Sequence, residues 1–264
     1  MTTYLDRILL HHRHAAAHDE RDLSRLIQLA ADCSPIRGFT QSLRDRVLNG
    51  ELAVISEIKR RSPSKGALRV DLDPAQLAMD YAHGGAAALS VLTDAEFFGG
   101  SSHDLQMARE AVAVPVLRKD FTVHPKDVCD ARLMGADCVL LIVAALSATE
   151  LGELHGLAVD LGLDVLVEIH DEIELDAAMQ AGATLIGVNQ RDLVTFRVDH
   201  ERALRMASRI PADVVKVAES GVRGATDARS LHQAGYDAIL VGETLVTASN
   251  PIATLRELRI STTL

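Results

Sequence analysis

Aromatic residues are scarce in this chain. Its 264 residues include five Phe, three Tyr and no Trp, whereas 48% of them are hydrophobic. The chain is long enough for one sizeable hydrophobic core or for two small ones. Any such core must therefore be built mainly from Ala, Val, Leu and Ile.

Positive charge and cysteine are also limited. The chain carries 27 Lys and Arg against 37 Asp and Glu, a net charge of −10, which argues against non-specific nucleic-acid binding through a basic face. The cysteines Cys33, Cys129 and Cys138 are odd in number and form no CxxC pair or zinc spacing. We expect free thiols in a reducing compartment.

Long apolar runs are missing too. No run approaches the roughly 18 apolar residues of a membrane span. The N-terminal stretch MTTYLDRILLHHRHAAAHDER mixes acids and bases too early for a signal peptide. We expect a soluble cytoplasmic protein that binds neither a membrane nor nucleic acid.

The same N-terminal stretch is rich in histidine, with His11, His12, His14 and His18 close together. A metal site needs ligands that converge from fixed elements and an ordered set of surrounding partners. Nothing nearby in the sequence supplies either. We interpret these histidines as the solvated face of a first helix, and we expect no metal.

The chain changes character after its first fifty residues. Those residues are polar and helical in pattern, with a break at CSPIRGF, and they predict one or two helices. From Leu52 onward, amphipathic segments alternate with apolar runs of strand length, which are LAVISEI, AALSVLT, PVLRK, DCVLLIVA, DVLVEIH, TLIGVN, VVKVAES and DAILVG. Strict alternation predicts parallel βα units with both sheet faces covered.

Eight such units in about 210 residues favour an α/β fold of the (β/α)8, or TIM-barrel, type. An open doubly wound sheet usually has fewer strands, and no GxGxxG follows the first strand here. We expect residues 1–264 to form a single domain, with 1–50 as an N-terminal helical extension and 51–264 as the barrel.

An internal repeat supports closure of the barrel. The second, fourth, sixth and eighth strands each follow a helix that ends near a glycine, at Gly85, Gly135, Gly182 and Gly235. Glycine at that position predicts a left-handed residue that ends the helix before a tight turn. The chain therefore resembles four βαβα quarters.

The first strand ends in an unusual concentration of charge. Residues 53–66 read AVISEIKRRSPSKG. Because side chains alternate along a strand, Glu57 and Lys59 point to the same face. Pro63 and Gly66 then force a loop. Opposite charges at the end of an apolar strand are typical of a strand that opens into a functional site.

The other odd-numbered strands end in charge as well. The third ends at Lys119, the fifth at Glu168 and the seventh at Glu219. The carboxyl ends of all strands of a (β/α)8 barrel face one cavity, so these groups should meet Glu57 and Lys59 there. Two lysines among three carboxylates suit proton transfer. A ring of salt bridges that only closes the barrel is the structural alternative.

Later loops suggest ligand binding. Asn189 and Arg191 follow the sixth strand and could hold hydroxyl and carboxylate groups, or simply form a turn. In these barrels the loops after strands seven and eight commonly bind phosphate through backbone N–H groups. Here Gly221 and Gly242 would allow close approach, and Arg61 or Lys65 could add charge. The side chain of Glu243 should then point away.

These segments together are similar to a known family. SEIKRRSPSKG, ALSVLTDAEFFGGS, PVLRKDF, LVEIHDEIELDAAMQAGATLIGVNQRDL, AESGV and LVGETLV, in this order, closely resemble the indole-3-glycerol-phosphate synthases of tryptophan biosynthesis. The resemblance runs from about Leu5 to Leu258. Its departures are small: Arg61 stands where lysine is often found, and position 243 varies in the family.

The resemblance implies a carboxy-lyase that closes an indole ring. The expected substrate is 1-(2-carboxyphenylamino)-1-deoxyribulose 5-phosphate, which loses carbon dioxide and water to give indole-3-glycerol phosphate. It implies Lys119 as the general acid and Glu168 as the general base for dehydration. Lys59 would lie near the substrate carboxylate, with a second acid role, and Glu57 and Glu219 would position the lysines. No metal or organic cofactor is implied.

It also implies the binding residues. Asn189 and Arg191 would hold substrate hydroxyl and carboxylate groups, with Ser220 lining the same mouth. Phe98 and Phe121 would sandwich the anthranilate ring, the alternative being simple loop packing. The phosphate-loop positions are Arg61, Ser62, Gly221, Gly242 and Glu243, the last through its backbone.

Two other functions compete with this one. A sugar isomerase such as phosphoribosylanthranilate isomerase would be expected to use a thiol or carboxylate base, and none of the three cysteines lies at a predicted strand end. A non-catalytic sensor of a phosphorylated ligand would be expected to leave a gap in the charged ring, and none is seen. We expect a monomer, with a weak dimer as the alternative.

Overall fold

The computed structural model describes residues 3–192 and 194–261. Within them, three helices precede the first barrel strand, namely α1 (Tyr4–Ala17), α2 (Leu23–Ala31) and α3 (Phe39–Leu48). The prediction of one or two helices was therefore wrong. The CSPIRGF break separates α2 from α3 as expected, but a second break lies between His18, which ends α1, and Asp22, whose side chain caps α2.

The eight predicted strands are all present in the described part of the chain. They are β1 (Ala53–Ile58), β2 (Ala88–Leu92), β3 (Val116–Lys119), β4 (Cys138–Ile142), β5 (Asp164–Ile169), β6 (Leu185–Asn189), β7 (Val215–Glu219) and β8 (Ala238–Val241). Each pairs in parallel with the next, and β1 closes the barrel by pairing with both neighbours, Ile55 opposite Ala88 of β2 and Leu240 of β8. The predicted closed (β/α)8 barrel is confirmed.

The outer layer follows the predicted amphipathic segments. Its helices are α4 (Pro74–Gly84), α5 (Ser102–Ala111), α6 (Pro125–Leu133), α7 (Ala148–Asp160), α8 (Glu172–Gln180), α9 (His200–Met206), α10 (Ala225–Gln233) and α12 (Pro251–Leu258). A short 3₁₀ turn at Val143–Ala145 follows β4, and a short helix α11 (Glu243–Val246) follows β8 at the opening of the barrel. The four repeated glycines have positive φ, between 88° and 95°. Each ends its helix in the left-handed conformation that the sequence predicted.

Aliphatic side chains fill the core, as the scarcity of aromatics required. Ile55, Leu117, Leu140, Leu166 and Leu240 pack together inside the barrel, and a larger aliphatic cluster lies between the strands and the helices. Alternation of faces along each strand sends successive residues to these two layers.

The helices before the barrel close one end of it. Phe39 and Leu43 of α3 are fully buried in the cluster inside the barrel. The hydroxyl of Ser42 donates to the carbonyl of Ala87 at 2.6 Å, just before β2 begins. Since α3 covers the amino ends of the strands, the opening of the barrel is left at their carboxyl ends. There α1 contributes Tyr4, Leu5 and Ile8 to the walls of a cavity.

Candidate active site

A cavity of about 480 Å³ lies at the carboxyl ends of the barrel strands. This is large enough for a substrate of moderate size. Its walls include nearly all of the predicted site residues: Glu57, Lys59, Ser62, Phe98, Lys119, Phe121, Glu168, Asn189, Arg191, Glu219, Ser220, Gly221, Gly242 and Glu243. The prediction that charged residues from alternate strands meet in one place is therefore supported by their positions.

Glu57 and Lys59 form the first charged pair of the cavity. The ammonium of Lys59 donates to Oε1 of Glu57, which is almost fully buried. A Cβ atom added to Gly242 would overlap Oε1 of Glu57 and lie 3.0 Å from Nζ of Lys59. The pair thus needs the glycine that follows β8, which explains why a residue without a side chain stands there.

Lys119 lies between two carboxylates on the next part of the wall. Its Nζ is 3.4 Å from Oε2 of Glu168 and 3.9 Å from Oε2 of Glu219. Burial by itself lowers the pKa of Lys119, but the carboxylates of Glu168, Glu219 and Glu57 outweigh it, so the pKa is raised. Lys119 is therefore protonated and can donate a proton to a bound ligand.

The two carboxyl groups beside Lys119 titrate in opposite directions. Burial favours the neutral form of Glu168, yet Lys119, His170 and a 3.0 Å hydrogen bond from Nδ2 of Asn189 outweigh it and lower its pKa. Burial and the negative charge of Glu168 raise the pKa of Glu219 well above the ordinary value. The opposite shifts favour a proton on Glu219 rather than on Glu168, and an ionised Glu168 suits a base.

Arg191 connects two loops of the cavity mouth. Its backbone N–H donates to Oδ1 of Asn189 at 3.0 Å, which fixes the turn after β6. Its guanidinium reaches Ser64 Oγ in the loop after β1 at 3.4 Å and the carbonyl of Phe196 at 3.2 Å. The geometry is thus compatible with both interpretations of Asn189 and Arg191, as residues that form a turn and as residues that bind a ligand.

The loop after β7 has an uncommon backbone. Ser220 has φ of 66° and Gly221 has φ of 77°, and such positive φ is rare for a residue other than glycine. The amide of Gln190 donates to the Ser220 carbonyl at 2.7 Å and holds this conformation. Strained residues of this kind tend to occur where a ligand is bound.

Glu243 is directed at the loop after β1. Its carboxylate lies 3.4 Å from Nζ of Lys65, and both side chains are largely exposed. That loop contains a small hairpin in which Arg61 and Ser62 pair with Ala67 and Gly66. Lys65 therefore lies at the cavity mouth, close to the loops after β7 and β8.

Phe98 and Phe121 lie side by side on the cavity wall. Their ring centroids are 6.2 Å apart and the rings are tilted by 36°. A planar ring stacked between two others needs about 7 Å between the outer centroids, since each contact requires about 3.5 Å. In this conformation they form one apolar wall, and a sandwich would require them to separate.

Arg61 is the one predicted site residue that lies apart from the cavity lining within residues 3–192 and 194–261. Its guanidinium donates to the backbone carbonyls of Ala95 and Glu96 in the loop after β2. It connects two loops at the barrel mouth, whereas Lys65 of the same loop lines the cavity.

The interpretation of the N-terminal histidines as a solvated face is wrong for His12. Its Nε2 lies 2.9 Å from Oδ2 of Asp94 and 3.8 Å from Oδ1 of Asp120, and both carboxylates are buried. These three side chains are close enough to hold a metal ion. However, Asp94 also accepts the N–H groups of Phe97 and Phe98, so hydrogen bonds already account for the cluster.

Some cavity residues were absent from the sequence prediction. Tyr4, Leu5 and Ile8 lie on one face of α1, and their spacing of one turn was the available signal. His170, which directly follows β5, does not line the cavity, but its Nε2 lies 3.8 Å from Oε1 of Glu168. Its spacing of two residues from Glu168 was the available signal.

Within the described ranges, no helix has the length and apolar character needed to cross a bilayer.

The fold and the charged cavity at its strand ends are those of a (β/α)8-barrel enzyme. The chain belongs to the indole-3-glycerol phosphate synthase family, whose sequence model matches residues 5–258. The resemblance stated from its motifs is confirmed. The enzyme is thus a carboxy-lyase of tryptophan biosynthesis that acts on a phosphorylated small molecule.

Solved structures with low sequence identity share the fold. Thiamine phosphate pyrophosphorylase from Pyrococcus furiosus is 17% identical, with a TM-score of 0.61 over 80% of this chain and 95% of that chain. Tryptophan synthase subunit alpha from Legionella pneumophila str. Paris is 13% identical, with a TM-score of 0.62 over 85% of this chain and 97% of that chain. At these identities the likeness concerns the barrel architecture alone.

Proposed function

We propose that Lys119 and Glu168 carry out the acid–base steps of the synthase reaction. The observation that carries this proposal is the position of the Lys119 ammonium, 3.4 Å from Glu168 and 3.9 Å from Glu219 in the cavity. A protonated lysine next to an ionised carboxylate supplies a donor and an acceptor in one partly dry site.

Lys119 is the donor in the first step. The aromatic carbon that bears the carboxylate attacks the ketone carbon, and the ketone oxygen takes a proton from the Lys119 ammonium. A new C–C bond closes the five-membered ring. Loss of carbon dioxide from the same aromatic carbon leaves its bonding electrons to restore the aromatic ring.

Glu168 is the acceptor in the second step. The new hydroxyl group leaves as water after receiving a proton, for which Lys59 is the second donor. Glu168 removes a proton from the neighbouring methylene carbon, and the electrons of that C–H bond form the indole double bond. Two protons are donated and one is accepted, which matches the single proton that decarboxylation consumes. Glu57 and Glu219 hold the two lysines in place.

The phosphate group of the substrate is best accommodated at the cavity mouth, between the loops that follow β1, β7 and β8. Gly221 and Gly242 present backbone without side chains, and Ser62 and Lys65 of the loop after β1 line the same cavity. Small residues and a flexible cation suit a phosphate group. Arg191 and Asn189 would then contact the hydroxyl and carboxylate groups between the phosphate and Lys119.

The apolar wall fits the remaining part of the substrate. Phe98 and Phe121 are near enough to Lys119 in the same cavity to contact an anthranilate ring once the rings have moved apart. Their role as a sandwich remains part of this proposal. Arg61 would act indirectly, by holding the loop after β1 through the carbonyls of Ala95 and Glu96.

An assay with the deoxyribulose phosphate substrate tests the function directly. Purified protein should generate indole absorbance and fluorescence at a rate proportional to enzyme concentration. Tight binding in calorimetry without product would favour the non-catalytic sensor instead. Conversion of phosphoribosylanthranilate but not of the carboxyphenylamino substrate would favour the isomerase.

We also propose that residues 1–264 fold as one domain and act as a monomer in the cytoplasm. The three free thiols, two of them buried, support a reducing compartment. The packing of α3 into the barrel end supports a single folding unit. Light scattering of the purified enzyme would test the monomer, and one cooperative unfolding transition would support one domain.

A further inference from the structure

His170 is held beside Glu168 by a second carboxylate. Its Nδ1 lies 3.0 Å from Oε2 of Glu174, one turn into α8, and the same oxygen accepts the backbone N–H of His170 at 2.6 Å. Its Nε2 lies 3.8 Å from Oε1 of Glu168. The imidazole is thus placed between Glu174 in the first turn of α8 and Glu168 in the cavity wall.

The positions of these groups favour a doubly protonated ring. An ionised carboxylate only accepts hydrogen bonds, so Nδ1 must carry a proton toward Glu174. Nε2 is buried and has no hydrogen-bond partner within residues 3–192 and 194–261. A lone pair on Nε2 would be repelled by the nearby carboxylate of Glu168, whereas an N–H at that position would be attracted to it. Although burial lowers the pKa of His170, the bond to Glu174 and the charge of Glu168 outweigh it and raise the pKa.

The two oxygens of Glu168 have different surroundings. Oε1 accepts from Nδ2 of Asn189 at 3.0 Å and faces His170, whereas Oε2 faces Lys119 at 3.4 Å. One oxygen is therefore fixed by the protein. The other is left next to the proton donor, where a substrate would lie.

We propose that His170, held by Glu174, is a positioning residue that keeps the Glu168 carboxylate ionised and fixes its orientation for proton removal. The inference rests on the proposed role of Glu168 as the base. His170 acts only through Glu168.

The charged groups that face His170 come from three elements. Glu168 lies on β5, which ends just before His170, Glu174 lies on α8, and Arg202 on α9 opposes the protonated form. Across the cavity, Lys119 of β3 and Glu219 of β7 act on Glu168 itself. If the charge of His170 is removed, Lys119 still favours the ionised form of Glu168. The loss of activity should therefore be partial.

The test compares pH–rate profiles of wild type, His170→Asn and Glu168→Gln. Without the imidazolium, the pKa of Glu168 rises, so the acid limb of kcat should move up by about one pH unit. The loss of activity should be about 10-fold at pH values on the acid limb and small at higher pH. His170→Asn keeps the backbone N–H that donates to Glu174, which should preserve the turn.

Glu174→Gln provides a second variant in case His170→Asn folds poorly. It keeps the side-chain size but removes the carboxylate that stabilises the imidazolium, so the acid limb should move in the same direction by a smaller amount. His155→Asn is the matched control, because His155 on α7 is also partly buried but lies apart from the cavity residues. Its profile should match that of wild type.

The outcomes separate the two proposals. A uniform fall of kcat at every pH, or an unchanged profile, in folded His170→Asn would overturn the positioning role, and Glu174→Gln decides in the same way if His170→Asn folds poorly. If Glu168→Gln keeps near-normal turnover, the base assignment itself fails. A strong loss in Glu168→Gln together with an unshifted His170→Asn profile would overturn the inference and leave the base assignment standing.

Discussion

Nζ of Lys119 lies 3.4 Å from Oε2 of Glu168, so the proposed proton donor and the proposed proton acceptor, from β3 and β5, meet in one cavity. Lys119→Ala should lower kcat by at least about 100-fold, the usual contribution of a positioned acid. Steady-state assays with the indole product as readout measure this loss.

Lys216→Ala is the control for that substitution. Lys216 also lies on a barrel strand, but its Nζ bonds the carbonyl of Ala207 outside the barrel. Its kcat should remain within a few-fold of wild type. Near-normal turnover in Lys119→Ala, with the control equally active, would contradict the acid role.

The raised pKa of Glu219 should be visible in the pH dependence of the free energy of unfolding. Because the pKa of Glu219 is raised in the folded state, the folded protein keeps the proton of this carboxyl group at pH values where the unfolded chain has lost it. The contribution of Glu219 to the free energy of unfolding therefore falls as the pH rises above the pKa that this residue has in the unfolded chain. Glu219→Gln removes that dependence, since the amide cannot ionise.

Urea unfolding of wild type and Glu219→Gln at pH 5 and pH 8 measures the effect. The free energy of unfolding of the variant, relative to wild type, should be higher at pH 8 than at pH 5. An identical difference at the two pH values would mean that Glu219 is ionised in the folded enzyme.

Much of the fold could be predicted because each of its levels leaves a pattern in the sequence. Buried parallel strands give apolar runs such as that of Val139 to Ile142, and the four glycines mark where helices must end. The break between α1 and α2 was missed because it contains neither Pro nor Gly. His18 and Asp22 end and start these helices through hydrogen bonds instead.

The meeting of the charged groups could be predicted because strand ends determine it, whereas the direction of a loop side chain could not. Glu57, Lys119 and Glu168 converge because the barrel brings all strand ends to one cavity. Arg61 lies on a loop, and its direction depends on the carbonyls of Ala95 and Glu96. The partner of His12 lies 82 residues further along the chain, and no local pattern indicates such a contact.

Gly242 should tolerate no side chain. A Cβ atom there would overlap the Glu57 carboxylate and press on the Lys59 ammonium at 3.0 Å, so the charged pair would have to move. We expect Gly242→Ala to lower kcat/KM by at least about 10-fold, because small displacements of catalytic groups are costly.

Gly224→Ala is the matched control, since nothing lies within 4 Å of a Cβ atom at that position and its φ of 171° is extended. This variant should retain nearly full activity. If Gly242→Ala were as active as Gly224→Ala, the Glu57–Lys59 geometry would not be required for the reaction.

His12 should hold α1 against the barrel. Its Nε2 bonds Asp94 at 2.9 Å, and Asp94 fixes the backbone of Phe97 and Phe98. His12→Ala leaves the buried Asp94 carboxylate without this partner, so the free energy of unfolding should fall by about 1 to 3 kcal/mol. Since α1 contributes Tyr4 and Ile8 to the cavity wall, KM should rise several-fold while kcat changes little.

Urea unfolding and steady-state kinetics measure both effects, with the exposed His14→Ala on the same helix as control. Equal behaviour of the two variants would show that the contact between His12 and Asp94 does not hold α1 over the cavity.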